Sequence, residues 1–165
     1  MSEPRELQCY EYATMPYDEA REILQRDARG LFQRATLSAL ARALEVGATL
    51  HARLGPFEIG ADVNINVREV NETVSALGER TTRVELTWTA ARNAGLFPAM
   101  SATLAVYPLS SGEVQLDLHG RYRPPLGAVG AAMDALVGHR IAAASVLRFV
   151  QDVARALNDI HAGRA

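Results

Sequence analysis

Four stretches in the middle of the chain alternate apolar and polar residues one for one, and this period of two constrains the fold more than any other feature. Ile59, Ala61, Val63, Ile65 and Val67 share one side of the first stretch, opposite Asp62, Asn64, Asn66 and Arg68. In the second, Val84, Leu86, Trp88 and Ala90 oppose Arg83, Glu85, Thr87 and Thr89. The third sets Met100, Ala102, Leu104 and Val106 against Ser101, Thr103 and Tyr107, and the fourth sets Val114, Leu116, Leu118 and Tyr122 against Gln115, Asp117, His119 and Arg121. Successive side chains of a strand point to opposite faces, so each stretch presents one apolar and one polar face. The turn signals between them, Ala76-Leu77-Gly78, Arg92-Asn93-Ala94-Gly95 and Ser110-Ser111-Gly112, are short. Short connections favour an antiparallel meander with one face covered and the other wet.

A sheet of this kind cannot cover its own apolar face and needs a partner layer. After Pro124-Pro125 the period changes. Val129, Met133, Leu136, Val137, Ala142, Val146, Phe149, Val150, Val153 and Leu157 form a wide stripe at helical spacing, which predicts a long helix from Leu126 to about Asp159, with His161 to Ala165 as a loose tail. Upstream, Glu6 to Ala13 reads as a first strand. Pro16 then suits the start of a short helix from Tyr17 to about Asp27, which Gly30 interrupts. A second short helix, Leu31 to about Val46, is expected to close at Gly47, and Ala48 to Leu54 reads as a further strand before the Gly55-Pro56 turn. With 165 residues the whole chain, 1–165, suits a single domain.

The same elements in the same order resemble the START/polyketide-cyclase superfamily (SRPBCC, which includes the Bet v 1-like proteins). The resemblance runs from Glu6 to about Ile160. Its most specific stretch is Gly120-Arg121-Tyr122-Arg123-Pro124-Pro125-Leu126-Gly127, leading into His139-Arg140-Ile141-Ala142 on the helix. It implies an α+β helix-grip fold: a curved six- or seven-stranded antiparallel sheet around a long C-terminal helix, with two short helices after the first strand. It also implies a hydrophobic ligand, such as a lipid, held between helix and sheet; some members are cyclases or aromatases. Gly55-Pro56-Phe57-Glu58-Ile59-Gly60 lies where Bet v 1-like proteins carry a glycine-rich loop, but has fewer glycines, so no binding role is carried over.

Composition narrows the partners. The formal net charge is −2 and basic residues alternate with acidic ones, so no basic stripe for nucleic acid exists. All 17 basic residues are arginine, which excludes Schiff-base chemistry on lysine and accords with a bacterial source. Cys9 is the sole cysteine, so an internal disulfide and a cysteine-based metal site are both ruled out. The polar N-terminus and the lack of a long apolar run predict a cytoplasmic protein without stable membrane insertion. Dimerisation is compatible with these features and not required by them.

Candidate chemistry is sparse. His51, His119 and Asp117 invite a triad or metal reading, but alternation sends all three to the wet face. Asp62-x-Asn64-x-Asn66 lacks the glycine and terminal glutamate of a calcium loop, and Gly127-x-x-Gly130 lacks a full phosphate fingerprint. No metal site and no cofactor are expected. The inward residues Trp88, Met100, Tyr122, Val146 and Phe149 are the expected ligand wall, either lining an open cavity or filling it. Arg140, near the helix stripe, reads as a structural ion pair or as the anchor for a ligand carboxylate. Since acid–base catalysis needs a titratable group within reach of substrate, this inward set favours binding, sequestration or transport of a small hydrophobic molecule. A polyketide-type cyclase or aromatase is the alternative, and a structural or protein-interaction module the third; catalytic residues stay unassigned.

Overall fold

A computed structural model describes residues 4–54, 62–92, 99–123 and 131–164. Its elements in chain order are β1 (Arg5–Ala13), α1 (Tyr17–Leu54), β2 (Asp62–Val74), β3 (Arg80–Arg92), β4 (Ala99–Ser110), β5 (Glu113–Arg123) and α2 (Ala131–Arg164). The strands form one antiparallel sheet in the order β1-β5-β4-β3-β2. Strands β2 to β5 are the expected meander, and β1 closes its far side against β5. The architecture is the α+β helix-grip arrangement, with five strands among the described residues rather than six or seven.

The missing strand is the one expected at Ala48 to Leu54. Those residues continue α1, which runs 38 residues without stopping at Gly47. Alternating Ala and Leu satisfy either period over so short a run, and both are strong helix formers. The break expected at Gly30 falls instead at Asp27, whose backbone leaves helical geometry (φ −151°, ψ 49°). The Asp27 Oδ1 accepts the Gly30 N–H at 2.9 Å, so Asp27 caps the helix that restarts after it. A Cβ on Gly30 would clash with that carboxylate, which explains the glycine. At the other end of the chain α2 reaches Arg164, so residues 161–164 are helical where a loose tail was expected. His161 Nδ1 lies 2.7 Å from Glu19 Oε2 on α1, tying that end down.

The facing assignment holds on β3, β4 and β5. Val84, Leu86, Trp88, Met100, Leu104, Val106, Val114, Leu116, Leu118 and Tyr122 are all buried, and so are Ile141, Ala142, Val146, Phe149, Val150, Val153 and Leu157 of α2. Helix α1 shares the cover: Phe32 packs edge-on against Phe149, with centroids 5.4 Å apart. On β1 the odd residues face in, with Leu7 and Ala13 buried, while Tyr10 and Tyr12 stand exposed. Strand β2 departs from simple alternation. Val67 pairs with Leu86 and Glu69 with Glu85, so Arg68 is an extra residue in a bulge. Beyond it the inward set switches from odd to even positions, and Glu72 turns toward the core side. No described helix is long and apolar enough to cross a membrane.

Candidate functional site

One register row crosses the inner face of all five strands. Ile65 pairs with Trp88, Trp88 with Met100, Met100 with Tyr122, and Tyr122 with Arg5. The row is apolar on β2, β3 and β4 and becomes polar at Tyr122 and Arg5. Helix α2 lies over it and supplies His139, Val146 and Phe149.

The apolar half is closed. Trp88 meets the edge of Phe149 at 4.7 Å between centroids and 89° between planes. Its indole N–H donates to Thr36 Oγ1 at 3.1 Å, and the Thr36 hydroxyl donates to the Phe32 carbonyl at 2.8 Å. Trp88, Phe149 and Val146 are each at most 3% exposed. Of the two roles open to these residues, they fill the interior at this point. Met100 is also buried, and Gly120 makes room for it: a Cβ there would sit 2.7 Å from the Met100 sulfur.

The polar half holds Tyr122, which is 1% exposed. Its hydroxyl lies 2.9 Å from His139 Nδ1, the two rings are near parallel at 26°, and Arg5 stands opposite Tyr122 in the β1–β5 register. Burial pushes the phenol above its ordinary value, and Arg5 works against that shift. Arg140, read as a structural ion pair or as a ligand anchor, is exposed on α2, while His139 is half-buried against Tyr122. The helix period contained this result. His139 stands three residues before Ala142 and seven before Val146, on the apolar stripe itself, whereas Arg140 is one position off it. Arg5 was missed because a residue at a strand's start carries no alternation of its own; its inward direction follows from the pairing with Tyr122.

A second buried tyrosine lies at the other end of the sheet. The Tyr17 hydroxyl is 2.8 Å from Thr82 Oγ1 and 3.3 Å from Glu72 Oε1. Glu72 accepts from Arg80 at 2.7 Å and from Arg21 at 3.2 Å, Arg80 also reaches Asp18 at 2.8 Å, and the Arg80 guanidinium sits 4.9 Å over the Tyr17 ring. The hydrogen bond from Arg80 dominates in holding the Glu72 carboxyl below its ordinary value. This end is an ion network of Asp18, Arg21, Glu72 and Arg80, in which the buried Arg21 Nε has no hydrogen-bond partner.

The remaining candidates divide as follows. His119 is exposed and Asp117 faces the same outer side, accepting from Gln8 at 3.4 Å. His51 lies on α1 rather than on a strand, with its side chain outside the described residues, as are the Gly55–Gly60 and Gly127–Gly130 segments. Among the described residues no three His, Cys, Asp or Glu gather as a metal site. The Cys9 thiol is pushed up to about 12, first by burial and then by Asp117 and Glu11, so it is not a nucleophile near neutral pH. An open groove of about 420 Å³ crosses the outer face between Arg68, Glu85, Ser101, Thr103 and His119.

No family model and no curated protein matches the sequence. Solved structures do match. The Zhui aromatase/cyclase from Streptomyces sp. R1128 is similar with a TM-score of 0.51 at 11% identity, covering 94% of each chain. The protein TTHA0849 from Thermus thermophilus is similar with a TM-score of 0.52 at 14% identity, covering 94% of this chain and 99% of its own. At such identities the likeness is one of fold.

Proposed function

Starting from the helix-grip fold of the START/polyketide-cyclase superfamily (SRPBCC, Bet v 1-like), we propose that this protein binds a small hydrophobic molecule between sheet and C-terminal helix. The ligand lies over Met100 and Tyr122, with Trp88, Val146 and Phe149 as the back wall. The observation that carries this reading is the inner row itself, apolar for three strands and then ending in a buried tyrosine bonded to a histidine and paired in register with an arginine. Ligand sites of this type are largely apolar with a few converging polar groups that set orientation. A core built for stability alone has no need of that second feature, because buried polar groups cost free energy unless fully paired.

The test is uptake of a neutral, environment-sensitive fluorophore such as N-phenyl-naphthylamine, with native mass spectrometry of the freshly purified protein for a co-purifying small molecule. Uptake in the native protein, lost when Met100→Trp puts a larger side chain beside Tyr122, supports the site. Absence of both uptake and any bound molecule overturns it.

A second reading is a polyketide-type cyclase or aromatase. It is favoured by one contact, the Tyr122 hydroxyl 2.9 Å from His139 Nδ1, a pair able to pass a proton to and from a bound substrate. Turnover of a poly-β-ketone substrate that falls on both Tyr122→Phe and His139→Gln supports it, and turnover unchanged by both removes it.

A further inference from the structure

The sheet has two edge strands among the described residues, β1 and β2, and they are built differently. Strand β2 carries register shifts at Asp62/Val63 and at Val67/Glu69, and a bulged edge turns away from a further strand. Strand β1 pairs with β5 over all nine residues, Arg5 to Ala13, without a shift. Two N–H groups mark its free side. The Tyr12 N–H donates to the Glu11 carboxylate of its own strand at 3.0 Å, and the Thr14 N–H donates to Asn158 Oδ1 of α2 at 2.8 Å. Both therefore point away from β5. Alternate residues of an antiparallel strand turn their backbone groups to the same side, so those of Glu6, Gln8 and Tyr10 face away from β5 as well. Asn158 closes this edge just past Ala13, and the strand before it has no neighbour on that side among the described residues. The same even positions carry their side chains on the outer face. There Tyr10 and Tyr12 are 56% and 44% exposed and meet edge-on with centroids 5.7 Å apart.

We infer that β1 is an association edge, and that its partner is β1 of a second copy of this chain, antiparallel across a two-fold axis at Cys9. The strand is self-complementary in that register. Cys9 is the midpoint of Arg5–Ala13, so a two-fold there pairs the whole strand and keeps every side chain on its own face. On the outer face Tyr12 lies opposite Glu6 of the second copy and Tyr10 opposite its Gln8, which gives each phenol a polar neighbour. On the inner face Glu11 lies opposite Leu7 and Arg5 opposite Ala13. No like charges are opposed, which is the condition a self-pairing strand must meet. The sheets of the two copies then join as one, held by backbone hydrogen bonds as in strand addition generally. The Glu11 carboxylate holds the Tyr12 N–H in the single copy and is displaced on pairing. The association uses the edge and outer face of β1, so it stands whether or not the inner row holds a ligand.

Sedimentation equilibrium of the full chain, from micromolar to submillimolar concentration, reads the mass directly. The native protein should pass from monomer to dimer. Gln8→Pro removes an N–H that faces the second copy and none that faces β5, so it should keep a cooperative urea melt and stay monomeric. If Gln8→Pro does not fold, the exposed Tyr12 offers a second route. Tyr12→Glu sets a carboxylate opposite Glu6 twice per dimer and should weaken association about tenfold. Leu77→Ser, on the exposed β2–β3 turn, should leave association unchanged. A native protein that is monomeric at every concentration overturns the inference. So does a dimer that survives Gln8→Pro, is as tight with Tyr12→Glu, or is lost on Leu77→Ser, because its interface then lies elsewhere.

Discussion

The two buried tyrosines stand at opposite ends of one sheet, each beside an arginine, and their surroundings differ in the chemistry of their partners. Around Tyr17, two carboxylates and two guanidiniums balance one another, and Thr82 and Glu72 both meet the phenol. Around Tyr122, the phenol meets His139, and Arg5 stands opposite in the β1–β5 register. The network at Tyr17 joins carboxylates to guanidiniums at close range, while one of its buried donors, Arg21 Nε, has no hydrogen-bond partner. The Tyr122 phenol instead closes the inner row against which the ligand is proposed to lie. The difference separates an end of the sheet built on ion pairs from the end where the ligand is proposed to lie, although both look alike among buried tyrosines.

The largest expected effect lies between the two ends. Phe149 touches both Trp88 and Phe32, so Phe149→Ala should cost about 3–5 kcal/mol and lower the urea midpoint more than any change at either tyrosine. A loss below about 1 kcal/mol would mean the aromatic centre is not packed as described.

The tyrosines themselves give the sharpest contrast. Tyr17→Phe strips a partner from the fully buried Thr82 hydroxyl and should cost about 1–3 kcal/mol. Tyr122→Phe should cost less than about 1 kcal/mol, because Arg5 and His139 are only half-buried and can rehydrate. Equal costs in thermal or urea melts would break the comparison.

Acid sensitivity tests the ion network. The Glu72 carboxyl is held below its ordinary value of 4.5, so its stabilisation is complete above that value and is lost as pH falls through the lowered one. Glu72→Gln should therefore be less stable than the native protein at neutral pH, with the gap closing on acidification. A gap that stays constant with pH would remove the network from the account.

The smallest effect belongs to the outer face. His119 is exposed, so His119→Ala should change stability by no more than about 0.5 kcal/mol and leave probe uptake untouched. A marked loss of uptake would place function on the wet side of the sheet and reverse the contrast drawn here.

The alternation of residues 80–123 and the stripe on α2 determined the inner face without further help, because each period is a property of the local backbone and survives any arrangement of its neighbours. Trp88, Met100, Tyr122, Val146 and Phe149 were legible for that reason. The run from Ala48 to Leu54 was not, since a few alternating Ala and Leu residues suit both periods and the continuing α1 decided between them. Glu72 was illegible because a bulge at Arg68 changes the count of residues without changing their type. Arg5 needed the register of β1 against β5, and the choice of His139 over Arg140 needed the position of α2 above Tyr122. Local periodicity therefore determined which side chains point inward, while only the tertiary structure decided which of them meet, because the partners of a buried polar group come from segments far apart in the chain.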